Sequence, residues 1–435
     1  MKEQILEADL TFTGQRFEAG IQLEVKGDRI VRVGRGLCQN PTLRLQQRAL
    51  LPGFVNGHSH AFQRYLRGRG ETFPQGAGSF WTWREAMYQL VESLDADRLF
   101  DISQHAFREM LRAGMTTVGE FHYVHHLSPG AESQDFAGDA VVVAAAREAG
   151  IRLVLLQTFY KTGAIGQPLQ GGQRRFATPD LDAYWRQLDQ LAERLDLSTE
   201  SLGVVGHSVR AVPLDDLEAL ARGAAERGLL FHIHVEEQRQ EIAACLNAYG
   251  KRPMEVVFER IFKYVPASRV TAIHCTHSHS GDLATYLGAG ANVCLCPLTE
   301  ANLGDGFSHL PAMTGAAGQG QVAIGSDSNV RFSMLEEMRL LEFAQRLRRE
   351  ERGAVRDQEG HIGRLLLTIA TAGGARALGL EAGKIAPGQL ADFVTIDLDH
   401  PSLTFAPQET FEDALIFGGA DGVIAEVCVG GHWVR

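Results

Sequence analysis

No stretch of the 435-residue chain approaches the about 18 uninterrupted apolar residues that a membrane-spanning helix needs. Positive charge is also short: 42 Lys and Arg face 53 Asp and Glu, a net charge of −11, and no long basic block occurs. Nucleic acid and anionic membranes are therefore excluded as partners. The polar start, Met1-Lys2-Glu3-Gln4, lacks the apolar segment of a secretory leader. Six cysteines, at 38, 245, 275, 294, 296 and 428, include no Cys-x-x-Cys pair. Most lie in apolar, strand-like runs and read as reduced, buried thiols of a cytoplasmic protein. Cys294 and Cys296 share one strand face, but without a second thiol pair they make a poor zinc site. No Gly/Ser run occurs either, so the 47 glycines point to many tight connections rather than to a disordered linker.

What is present is a large apolar content, 45%, on a chain too long for a single core. Residues 1–50 alternate apolar and polar with Gly-containing turns, as short strands do. From Leu50 the texture changes to apolar runs separated by helical segments. Eight such runs fall at 50–60, 116–123, 152–160, 202–210, 229–237, 269–277, 292–300 and 321–329. Segments 93–114 and 213–228 read as helices between them, the second opening on Pro213 and closing on Gly228. Nearly every run is apolar first and polar last. A closed barrel gathers such endings at one mouth, whereas a doubly wound sheet spreads them along a crevice. The expected fold is therefore α/β, a (β/α)8 TIM-type barrel over 51–382. After residue 382 short strands return. Residues 1–50 and 383–435 are expected to form one small composite β-sandwich.

The polar endings carry chemistry. His58 and His60 lie two apart on the first run, so both imidazoles share a face. The fifth run ends His232-Ile233-His234-Val235-Glu236-Glu237, the sixth His274-Cys275-Thr276-His277, the eighth Ser326-Asp327-Ser328. Imidazoles with one carboxylate suit a catalytic zinc with an open position. His234, nearer the strand end, is assigned as a ligand and His232 as a deeper packing residue. Strict alternation puts Glu236, not Glu237, on the face of His234.

These residues, His-x-His on strand one, His on five, His on six and Asp on eight, resemble the amidohydrolase superfamily. Gly383-Lys384-Ile385-Ala386-Pro387-Gly388 with Ala391-Asp392-Phe393 resembles its C-terminal signature. The resemblance spans essentially the whole chain. Run four, Leu202–Arg210, has no lysine to bridge two metals, which points to the one-metal branch. The resemblance then implies one Zn2+ per chain held by His58, His60, His234 and Asp327, a homodimer, and a His-x-x-Glu pair of His234 and Glu237. It implies that Asp327 orients water and takes its proton, that Glu237 carries the proton to the leaving nitrogen, and that His274 stabilises the tetrahedral intermediate.

Segments 54–64, 234–242 and 296–306 resemble the branch acting on N-formimino-L-glutamate, an amidine with two carboxylates. Arginine is the preferred partner of carboxylates. Arg210, after run four, and Arg84, in a Trp-rich segment, are the candidates, with Gln63, Tyr123 and His207 beside them. His122, His125 and His126 read as a surface loop, and Lys384 as structural. The rival reading is a guanine or adenosine-type deaminase, which needs a stacking pocket for a flat ring. A catalytically inactive scaffold is the remote one, since such a chain is expected to have lost ligands.

Overall fold

A computed structural model describes residues 3–73, 76, 78–127, 136–314 and 321–434. Among the described residues sixteen strands fall into two sheets. The first five are β1 (Glu3–Phe12), β2 (Phe17–Glu18), β3 (Gln22–Lys26), β4 (Arg29–Gly34) and β5 (Leu43–Pro52). Next come β6 (Phe54–Ser59), β7 (Met115–His122), β8 (Arg152–Phe159) and β9 (Glu200–Ser208). They are followed by β10 (Phe231–Val235), β11 (Val270–His274), β12 (Asn292–Leu295) and β13 (Val322–Ile324). The last are β14 (Phe393–Asp397), β15 (Ile424–Val429) and β16 (His432–Trp433).

Strands β6 to β13 pair in sequence order and in parallel, which is the barrel read from the eight apolar runs. Every residue of β7, β8, β10 and β11 is buried, as expected of strands covered on both faces. The ring closes where β6 meets the residues after β13. Ser59 bridges Asp327, His60 N–H donates to the Asp327 carbonyl at 2.9 Å, and Asp327 N–H donates to the His58 carbonyl at 3.0 Å. This approach needs Gly325: a Cβ there would lie 2.7 Å from the Cβ of His58.

The helices sit where patterning placed them. The helix Ala96–Arg112 is capped by Asp95, which accepts from Arg98 N–H at 2.9 Å. The helix Leu214–Glu226 ends before Gly228, whose φ of 62° lets the chain turn back. The first apolar run, 50–60, divides at Gly53. Leu50–Pro52 finish β5 in the small sheet, and β6 starts the barrel at Phe54. Gly53 packs on Thr116 so closely that a Cβ would come within 2.2 Å of its hydroxyl oxygen.

Both chain ends build the second sheet, in the order β16-β15-β14-β5-β1-β3-β4, with β2 on β1. β14 pairs antiparallel with β5, joining the C-terminal strands directly to the N-terminal ones. Leu6, Leu23, Val25, Ile30, Leu50 and Phe393 form its core. A buried ion pair, Arg152 to Asp392 at 2.7 and 3.0 Å, ties this sheet to barrel strand β8. The tail also folds a helix, Phe411–Gly418, that strand patterning did not anticipate. All six cysteines are free, and five are buried. No helix among the described residues is long and apolar enough to cross a membrane.

Candidate active site

The strand C-termini converge on one mouth, and four of the expected ligands meet there. His58, His60, His234 and Asp327 bring one ligand atom each within 4.8 Å of the others. Asp327 Oδ1 lies 3.3 Å from His58 Nε2 and 3.2 Å from His60 Nε2, and His58 Nε2 lies 3.3 Å from His234 Nε2. His60 donates from Nδ1 to the Phe121 carbonyl at 2.7 Å, and His234 from Nδ1 to the His207 carbonyl at 3.0 Å. Each of these bonds fixes the tautomer and leaves the Nε2 lone pair facing the centre. Burial holds all three rings neutral: His58 and His234 fall well below the ordinary value, and His60 to about 3. Neutral imidazoles beside a carboxylate are the donor set a divalent metal requires, so the residues fit the group.

His232 lies deeper and bonds through Nε2 to the Ala377 carbonyl at 3.0 Å, away from the other rings. His274, Cys296 and Asp327 form an overlapping triplet of ligand atoms. Burial pushes the Cys296 thiol well up, so it remains protonated and is a weak donor.

Backbone strain marks the mouth. Glu236, His274, Cys275, Asp327 and Asn329 all have positive φ, from 46° to 70°. At Glu236 this breaks the alternation. Its carboxylate turns away and accepts from Arg252 Nε and Nη2, both at 3.1 Å. Glu237 faces the cavity instead, its Oε1 4.0 Å from His274 Nε2 and its Oε2 3.4 Å from Arg210 Nη2. His274 Nδ1 lies 3.3 Å from Glu300 Oε1, and its Nε2 lies 3.9 Å from Asp327 Oδ2. Burial alone would lower the His274 pKa. The charges of Glu237 and Asp327 and the bond to Glu300 outweigh it and raise the ring to about 10. These carboxylates favour the protonated, hydrogen-bond-donating form of His274.

A cavity opens over these residues. It is lined by Gln63, Arg84, Tyr123, His207 and Arg210, all expected from the sequence, and by Tyr88, Tyr160 and Phe176, which were not. Gln63 donates to the Tyr123 hydroxyl at 2.7 Å. Arg84 lies on the helix Phe80–Glu92 and stacks over Trp81 at 4.4 Å and Tyr88 at 5.5 Å. His207 bonds Ser208 Oγ at 3.0 Å.

Glu300 is a site residue that sequence reasoning missed, although it ends the seventh apolar run as other site residues end theirs. The reading of His122, His125 and His126 as a surface loop is corrected: all three are buried. His125 bonds Asp139 Oδ1 and the Thr158 carbonyl, both at 2.7 Å, and His122 Nε2 lies 3.3 Å from the same Asp139 oxygen. His126 donates from Nε2 to the Ala177 carbonyl at 2.7 Å. Their partners come from distant segments, so no local pattern revealed the burial.

The amidohydrolase family profile matches residues 49–434. A formimidoylglutamate deiminase of Pseudomonas aeruginosa is 40% identical over 389 residues, covering 89% of this chain and 84% of that protein. An 8-oxoguanine deaminase of the same organism is 28% identical, covering 97% of this chain and 91% of that protein. Among solved structures, an amidohydrolase from Brucella melitensis superposes with a TM-score of 0.88 at 32% identity, covering 99% of this chain and 94% of that one.

Proposed function

The chain belongs to the amidohydrolase family, whose members are metal-dependent hydrolases of C–N bonds, and we propose from this that it hydrolyses N-formimino-L-glutamate to N-formyl-L-glutamate and ammonia. The observation that carries the reading is the placing of Arg84 and Arg210 in the same cavity as the histidine and aspartate cluster. Two guanidinium groups suit a substrate with two carboxylates. Aromatic rings and Gln63 also line the cavity, but a neutral purine gives two guanidinium groups no carboxylates to pair with. The 40% identity to the Pseudomonas deiminase supports the same choice over the purine deaminases, which match at 26–28%.

His58, His60, His234 and Asp327 would hold one zinc per chain. When bound, a divalent metal supplies the Lewis acidity that makes water a nucleophile near pH ~7. The remaining steps belong to the chain. Arg210 and Arg84 bind the carboxylates, with Gln63, Tyr123 and His207 completing the walls, and so fix the formimino carbon over the cluster. Asp327 accepts a proton from the attacking water. Glu237 passes a proton originating from that water to the departing nitrogen, whose bond to carbon breaks to release ammonia. His274 donates to the oxygen that gains charge as the carbon becomes tetrahedral. Each such role contributes about 10²–10³-fold in rate. A homodimer acting in the cytoplasm, in histidine degradation, is the setting this reading implies.

Ammonia release from a panel of N-formimino-L-glutamate, guanine, adenosine and cytosine tests it. The formimino compound is expected to be turned over with the highest kcat/KM by at least a hundredfold. A purine in first place would overturn the assignment.

A further inference from the structure

One buried carboxylate near the site has no part in the mechanism so far. Glu241 is the third residue of the helix Arg239–Tyr249, its side chain is fully buried, and neither carboxylate oxygen has a hydrogen-bond partner. Helix capping does not explain it, because the helix start at Gln238 receives no side-chain cap bond. An acid placed there without a charge partner is unfavourable, since burial penalises the ionised form. Its nearest counter-charge is Arg210. Glu241 Oε1 lies 3.7 Å from Arg210 Nε, an atom that is likewise buried and without a hydrogen-bond partner. The Nη2 of the same guanidinium lies 3.4 Å from Glu237, and the Phe80 ring covers its face at 5.7 Å. Arg210 therefore meets a different group on each side, and Glu241, outside the cavity lining, stands at its Nε edge.

We propose that Glu241 is a positioning residue that clamps Arg210 from behind, so that the guanidinium presents its outer nitrogens to a substrate carboxylate. The inference rests on the reading of Arg210 as a carboxylate binder. A free arginine has many rotamers, and ordering it on binding is unfavourable. An ion pair at Nε fixes the plane beforehand. It also gives the buried cation a second partner, so that Glu237 is not its sole counter-charge and stays available for proton transfer. Burial pushes the Glu241 carboxyl up to about 7, with Arg210 acting against that rise, which agrees with a group whose ionisation depends on this neighbour.

Two measurements on the metal-loaded enzyme test the clamp. The first is steady-state kinetics of Glu241→Gln and Glu241→Asp on N-formimino-L-glutamate and on the two analogues that each lack one carboxylate. Glu241→Gln is expected to raise KM about 10–100-fold on the full substrate, with kcat within about threefold and metal content unchanged. On the analogue without the carboxylate that Arg210 takes, the KM effect should shrink to less than threefold. Glu241→Asp should recover part of the KM. A loss in kcat alone, or equal losses on all three substrates, would overturn the proposal.

The second measurement is a double-mutant cycle on thermal unfolding, which needs no substrate. Arg210→Met should lower Tm, and adding Glu241→Gln should restore part of it, because the stranded buried charge is then removed. Strictly additive Tm changes would overturn the ion pair even if turnover is never seen. If the cycle shows coupling but the wild type leaves N-formimino-L-glutamate untouched, the substrate reading fails and with it the role toward a substrate carboxylate, while the Glu241–Arg210 ion pair stands.

Discussion

Glu236 and Glu237 are neighbours in sequence but face opposite sides of the barrel wall. Glu236 forms a two-pronged pair with Arg252 at 3.1 Å, while Glu237 approaches His274 and Arg210 in the cavity. The positive φ of 54° at Glu236 produces the divergence. Glu237→Gln should therefore keep its metal and lose about 10²–10³-fold in kcat, because the amide preserves size but carries no proton. Glu236→Gln should keep most turnover and lose stability, since Arg252 is left without its charge partner. A dead Glu236→Gln beside an active Glu237→Gln would reverse the assignment.

The ligand cluster has three neutral imidazoles and one carboxylate, and β9 ends in His207 and Ser208 with no lysine to bridge a second ion. Elemental analysis of active protein should give about one tightly held divalent metal per chain. Chelation should abolish ammonia release, and zinc should restore it. His234→Ala should lose both metal and turnover. Two tightly held metals per active chain would contradict a single catalytic centre.

Arg210→Met and Arg84→Met should each lower kcat/KM on N-formimino-L-glutamate while leaving the metal bound. A charge-assisted hydrogen bond is worth about 1.5–3 kcal/mol, so loss of a bidentate pair corresponds to about 10²–10³-fold. Long-range attraction cannot supply this, because the chain as a whole is acidic at −11. The loss should shrink for an analogue that lacks the matching carboxylate. Equal losses on intact and truncated substrates would make these arginines structural.

Asp139, fully buried with His122, His125 and Gln157, also accepts from the half-buried Gln187. Burial alone would raise its pKa. The charge and hydrogen bonds of His125 and His122 reverse that and hold the carboxyl well below the usual carboxylate range. A depressed carboxyl contributes stability that is present above its unfolded value of about 3.9 and is lost as pH falls toward the folded one. Asp139→Asn should cost about 3–5 kcal/mol in denaturant unfolding at neutral pH, as for a broken buried pair. The difference from wild type should narrow below about pH 4. A pH-independent difference would mean that shape rather than charge is what Asp139 contributes.

Much of this was legible in the sequence because it depends on local periodicity. Apolar runs alternating with helical segments specify strands and helices wherever they lie, and the eight polar endings lead to a barrel because only closure brings eight strand ends together. His58 and His60 share a face by the two-residue repeat of a strand, which needs no tertiary information. What the sequence could not decide depends on backbone torsion or on partners far along the chain. Glu237 rather than Glu236 faces the cavity because the backbone leaves the strand conformation at Glu236. The ring closes between Ser59 and Asp327, 268 positions apart, through a glycine whose missing side chain mattered only after folding. His122, His125 and His126 read as surface because their polarity is local, while the groups that satisfy them, Asp139, Thr158 and Ala177, are brought in by tertiary packing. Glu241 likewise looks like a solvated helix residue until the fold places Arg210 against it, since burial and counter-charge belong to the packed molecule and not to the chain.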